Sequence, residues 1–142
     1  MTRLLDTDHI SVLQRPTGQE YPILVANINL HPVGDVVASI VSFHEQALGA
    51  HNLINQSRTA AEMVRRYELL FQVLVGFSGL PVVQFDTPAA AALDSLKAQK
   101  IRIGAMDLRI AAIAFSRNLI VVKRNARDFA KIPGLKIEDW TK

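Results

Sequence analysis

The chain has 142 residues, 49% of them apolar or aromatic and 20% charged, which fits one folded domain with a real core and excludes a disordered, fibrous or low-complexity protein. It has no cysteine, so disulfide frameworks, thiolate-bound zinc, iron–sulfur clusters and cysteine nucleophiles are excluded, and any metal must be held by carboxylates, histidine or water. The net charge of +3 conceals an asymmetry: residues 97–136 carry ten basic and two acidic side chains, and the rest six basic and eleven acidic. The late basic segment attracts polyanions or else forms a solvated face.

The N-terminus reaches Asp6 after two leucines, without the apolar core of a signal peptide. No apolar run approaches the roughly 18 residues of a membrane span. These features lead us to expect a soluble, cytoplasmic protein.

In chain order, Leu4-Leu5 predicts a short buried strand, followed by a helix capped by Thr7 or Asp8 that carries Ile10 and Leu13 and stops near Pro16. Residues 16–35 combine three prolines and two glycines with Ile23, Leu24, Ile28 and Leu30, which predicts a partly helical loop or a short packed helix. The nearly continuous apolar run 36–41 is expected to be a strand buried on both faces. Ser42-Phe43-His44-Glu45 then opens a helix running towards Ile54, with a break near Gly49, and a second helix from Ser57 to Gly76 completes a helical arm. The third strand is 80–85. Thr87 caps the next helix, with Pro88 in its first turn, and Ala-rich residues 89–98 favour that helix. A further helix spans 105–117, the fourth strand 119–122, a helical turn 128–130 and a last short strand 135–137. Strands separated by helices predict a parallel sheet of four to five strands in a single α/β domain covering residues 1–142.

Sites in open parallel sheets form beyond the carboxyl ends of the strands. Asp6 and Asp8 follow strand one, Glu45 follows strand two, Asp86 strand three and Asp128 strand four, while Asp107 opens the helix before strand four. Several of these have structural explanations. Ser42 and Glu45 have the spacing of a capping box, Asp86 suits a cap, and Asp107 complements a helix dipole but would lie at the opposite edge unless the preceding loop crosses back. Asp6 resists such an explanation, because a carboxylate ending a buried strand beside Asp8 calls for a cation. Hard Mg²⁺ or Mn²⁺ accepts two to four carboxylates from separate elements and can activate water against a phosphodiester. His9, His31, His44 and His51 form no zinc motif, and no nucleophile elbow, phosphate loop or dinucleotide fingerprint is present.

Four segments together carry a resemblance: Leu4-Leu5-Asp6-Thr7-Asp8; Ser39 to Glu45 with Leu48-Gly49; Ile103-Gly104-Ala105-Met106-Asp107 through Ala112; and Arg124 to Phe129 with Ile132 to Leu135 and Glu138-Asp139-Trp140. In this order they resemble the PIN-domain superfamily, specifically its VapC-type toxins. The resemblance implies a PIN-like fold that brings Asp107 beside Asp6, and a metal-dependent endoribonuclease acting as the toxin of a type II toxin–antitoxin pair. It implies Mg²⁺ or Mn²⁺ held by Asp6, Asp107 and Glu45, with Glu45 also helping to deprotonate the attacking water. Asp128 fills the fourth acidic position, and with Asn125 it would orient water or substrate. Lys123 stands where threonine is common in the family. Lys123, Arg124, Arg127, Arg102 and Arg109 would hold phosphates of single-stranded RNA. The expected assembly is a homodimer neutralised by a VapB-like antitoxin. Phe43, Phe115, Phe129 and Trp140 are expected in the core. Two other readings remain open: a phosphatase of the haloacid dehalogenase type using Asp6 and Asp8, and a non-catalytic RNA- or protein-binding module.

Overall fold

Five strands pair in parallel: β1 (Arg3–Leu5), β2 (Val36–Ser39), β3 (Val82–Val83), β4 (Ile120–Val122) and β5 (Ile137–Glu138), in the order β3-β2-β1-β4-β5. The computed structural model describes all 142 residues. Leu4 stands level with Val37 and Val121, and Leu5 with Ala38 and Val122. Because successive side chains of a strand point to opposite faces, these two rows feed two separate cores. Leu4, Val37 and Val121 pack with Ala89, Leu96 and the Ile110 to Ala114 run. Leu5, Ala38 and Val122 pack with Ile10, Leu24, Val73, Phe77 and Trp140. Helices therefore cover both faces, which explains why the central strands are apolar without alternation.

The helices are α1 (Thr7–Leu13), α2 (Tyr21–Asn29), α3 (Ile40–Asn55), α4 (Ala60–Ser78), α5 (Thr87–Ala98) and α6 (Ala105–Arg117). The short packed helix expected within 16–35 is α2, with Pro22 in its first turn and Leu24 fully buried. Several boundaries differ from the expectation. Asp6, rather than Thr7 or Asp8, occupies the N-cap position of α1. The run 36–41 is a strand only to Ser39, because the Ser39 side chain accepts from the Ser42 N–H and starts α3 at Ile40. The capping box of Ser42 and Glu45 is thereby excluded: Ser42 lies inside the first turn and Glu45 beyond it. Gly49 does not break α3. Asp86, rather than Thr87, caps α5, its Oδ1 accepting from the Ala89 N–H at 3.1 Å.

Two helices, not one, connect β3 to β4, and this decides where Asp107 lies. Arg117 at the end of α6 pairs with Asp86 at the start of α5 at 2.9 Å, so the two helices are antiparallel. The chain thus climbs along α5 and descends along α6 before entering β4, which puts the start of α6, with Asp107, at the carboxyl edge of the sheet. The same arrangement removes Asp86 to the other end of the molecule. Asn118 ends α6 in the left-handed conformation (φ 54°), which asparagine tolerates better than most residues.

The apolar stripe of α4 is not core. Val73 and Phe77 are buried, whereas Val64, Tyr67, Phe71 and Leu74 are 54–64% exposed. Phe129 and Trp140 are buried as expected and Phe43 partly so, but Phe115 lies on the surface.

Candidate active site

Asp6 follows directly from β1 and is 2% exposed. Its Oδ2 accepts from the Lys123 ammonium at 2.6 Å, while its Oδ1 is buried with no partner at all. An unpartnered buried oxygen is costly, and the cost shows in the acid's titration. Burial pushes the Asp6 carboxyl up to about 6 against the opposing pull of Lys123, with Asp8 and Asp107 adding to the rise.

Lys123 comes from the residue after β4, the strand adjacent to β1. Its side chain is 12% exposed, also lies 3.9 Å from Asp8 Oδ2, and has its ammonium 5.1 Å from the centroid of the Phe129 ring. Burial alone would favour the neutral amine, but Asp6, Asp8 and Asp107 outweigh it and push the lysine pKa above its ordinary value.

Asp107 stands in the first turn of α6, half-buried and without a hydrogen bond. Burial raises its pKa, Lys123 opposes the rise, and Glu45, Asp128 and Asp8 add to it. Lys123 thus feels Asp6, Asp8 and Asp107, while Glu45 and Asp128 act on Asp107 from farther out. Glu45 is positioned by Thr7, whose hydroxyl lies 2.6 Å from Oε1 and 3.0 Å from the buried Ser42 hydroxyl. The Thr of the Asp6-Thr7-Asp8 segment therefore links the start of α1 to α3 across the site.

Asp8 is held differently. Burial works against its ionisation, yet bonds from His9 and the Arg124 N–H, together with Lys123, lower its pKa. His9 is fully buried: Nδ1 lies 2.9 Å from Asp8 Oδ1, and Nε2 accepts from the Trp140 N–H at 3.2 Å. Since Nε2 accepts, the proton belongs on Nδ1 and is donated to Asp8. Sequence reasoning missed this tie between α1 and the C-terminal segment, because no local pattern joins His9 to Trp140. His44 and His51 are exposed and take no part.

The remaining candidates separate. Asn125 is exposed and its Oδ1 accepts from the Arg127 N–H. Asp128 lies 3.5 Å from Lys131 at the rim. The Arg124 guanidinium pairs with Glu20, and Arg109 donates to the Met106 sulfur. Arg102 and Arg127 are exposed and form no ion pair.

A divalent cation suits this donor set in chemistry and charge: the donors are hard oxygens, one of them orphaned, and the acids outnumber the single buried cation. The set is not a closed cage, because no three acidic or histidine side chains converge closely enough to grip one ion. Lys123 stands among them.

A parallel five-stranded sheet flanked by six helices, with carboxylates near its carboxyl edge, is a PIN-like fold. The tRNA(fMet)-specific endonuclease VapC of Salmonella typhimurium is 36% identical over 104 residues, covering 61% of this chain and 79% of that protein. Ribonuclease VapC1 of Haemophilus influenzae is 30% identical over 145 residues, covering all of both chains. Among solved structures, DNA-bound VapBC from Salmonella typhimurium aligns with TM-score 0.76 at 27% identity over 99% of this chain and 98% of that one. VapBC2 from Rickettsia felis, bound to a promoter DNA fragment, aligns with TM-score 0.75 at 19% identity over 99% of each chain, a likeness of fold alone. No protein-family model matches the chain. The chain belongs to the VapC family, the ribonuclease toxins of VapBC toxin–antitoxin systems. VapC nucleases are metal-dependent as a family. The phosphatase reading gives way to this assignment, as does that of a non-catalytic module.

Proposed function

We propose that the chain is a Mg²⁺- or Mn²⁺-dependent endoribonuclease whose reaction is centred on Asp6. The observation that carries this reading is the orphaned, buried Asp6 Oδ1, with Asp8 and Asp107 near enough to raise its pKa. Asp6 and Asp107 would hold the metal ion, with Glu45 as a further ligand. When bound, the ion supplies charge to a phosphoryl oxygen and lowers the pKa of water. Thr7 fixes Glu45 through Oε1, which leaves Oε2 to take a proton from the attacking water. Asn125 offers its amide N–H groups to phosphate while its oxygen closes the Arg127 turn. Arg102 and Arg127, unpaired and exposed, are the phosphate-binding cations; Arg124 and Arg109 are engaged elsewhere and act in that role only if released. Asp128, at the rim, orients water or substrate.

The exposed apolar stripe of α4 supports a protein partner, since a patch of large apolar side chains in helical register marks an interaction surface. A VapB-like antitoxin and a second copy of the chain are the partners expected for it. The relatives' names make initiator tRNA the first substrate to try. Purified chain should cleave RNA with Mg²⁺ and not in chelator. Asp6→Asn and Asp107→Asn should fold normally and be inactive. Wild-type cleavage by either folded variant would refute the site.

A further inference from the structure

We propose that Lys123 is the resident counter-cation of the carboxylate cluster and competes with the divalent metal ion for Asp6. The proposal rests on the reading of Asp6 as a metal ligand and goes beyond it. Lys123 is not a wandering surface lysine: its side chain is 12% exposed, its ammonium is 2.6 Å from Asp6 Oδ2 and 3.9 Å from Asp8 Oδ2, and the Phe129 ring lies 5.1 Å away. An ammonium is a compact single charge. Here it satisfies one oxygen of Asp6 and leaves the other without a partner.

Two consequences follow from placing a monovalent cation beside Asp6, Asp8 and Asp107. The metal-free fold has an internal charge that partly replaces the ion. A divalent ion bound at Asp6 must either share that carboxylate with the ammonium or expel it. Each cation therefore weakens the other by the same factor, as linkage requires. The neighbouring cation provides a contrast: the Arg124 guanidinium pairs with Glu20, and only its backbone N–H reaches the cluster, at Asp8. Losing the Arg124 side chain removes a nearby positive charge without removing the competitor.

The test is Mn²⁺ binding to the purified full chain by titration calorimetry, for wild type, Lys123→Thr, Lys123→Met, Arg124→Met and Asp6→Asn, each checked for folding by circular dichroism. Both Lys123 variants should bind Mn²⁺ at least ~10-fold more tightly than wild type, with Arg124→Met changing affinity by less than about threefold. Their melting temperatures in chelator should fall and recover with Mn²⁺. Lys123 variants that bind no more tightly than Arg124→Met would overturn the proposal. Asp6→Asn separates it from its premise. If that variant keeps wild-type affinity, the metal is not at Asp6 and the proposal falls with that assignment. If it loses affinity while the Lys123 variants gain none, the metal site stands and only the competition is refuted. A measurement on the unaltered chain covers the case in which the Lys123 variants do not fold: added Mg²⁺ should speed acylation of the Lys123 amine, read by mass spectrometry, and an unchanged rate would refute competition.

Discussion

Asp6 makes the metal-free protein less stable at neutral pH than in mild acid, by an amount its surroundings set. Its folded pKa, about 6, lies above the ordinary 3.8. Between those values the native chain keeps a proton that the unfolded chain releases, so this residue's contribution is fully present below pH 4 and is lost as pH rises through 6. A rise of about two units corresponds to roughly 3 kcal/mol at about 1.4 kcal/mol per unit. Asp6→Asn keeps the shape and an acceptor for Lys123 but cannot ionise. In urea denaturation with chelator present, the variant's stability relative to wild type should therefore increase between pH 4 and pH 7 by about 2 kcal/mol, most of the full shift. Taking the difference between the two proteins cancels the titration of Asp139 and Glu138, on which Asp6 has no influence. Millimolar Mg²⁺ should shrink the difference at pH 7 by stabilising wild type alone. If the variant instead lost ground as pH rose, the Lys123 pair would outweigh burial, and the account of Asp6 as an unsatisfied acid would be wrong.

Three further outcomes are expected. Thr7→Val should leave the fold intact but lower cleavage at least ~10-fold, because Glu45 loses the hydroxyl that fixes it; a steady-state assay with Mg²⁺ checks this. Ser39→Ala should cost about 1 kcal/mol of unfolding free energy through loss of the α3 cap, read by urea denaturation, with the Ser42 hydroxyl keeping its partner Thr7. Phe71→Asp should leave the melting temperature of the isolated chain within a few degrees of wild type, since Phe71 is 64% exposed, yet abolish capture by an antitoxin in size-exclusion chromatography.

The order of strands and helices was legible because the sheet is covered on both faces, so its central strands read as unbroken apolar runs, although the caps of α1, α3 and α5 fall on earlier residues than expected. The acids at strand ends were legible for the same reason. Four things were not legible from residue patterns. Ser42 and Glu45 imitate a capping box, and only the Ser39 hydroxyl, three residues earlier, shows that the helix has already begun. The position of Asp107 depends on α5 and α6 running antiparallel, a tertiary fact fixed by packing and marked by the pair of Asp86 with Arg117; periodicity gives lengths and faces but not directions. The ion pair of Lys123 with Asp6 spans 117 residues and has no local signature. The exposed face of α4 was hidden too, because an apolar helical stripe looks the same whether it meets its own core or another chain.

The groups that meet at Asp6 lie far apart along the chain. Asp6 directly follows β1, and of the charges that act on it only Asp8 is near in sequence, whereas Asp107 and Lys123 come late. β1 is completed on its second edge only by β4. A chain in which β4 has not docked against β1 therefore has Asp6 without its ammonium, so formation of the proposed site waits on the second pairing of the central strand.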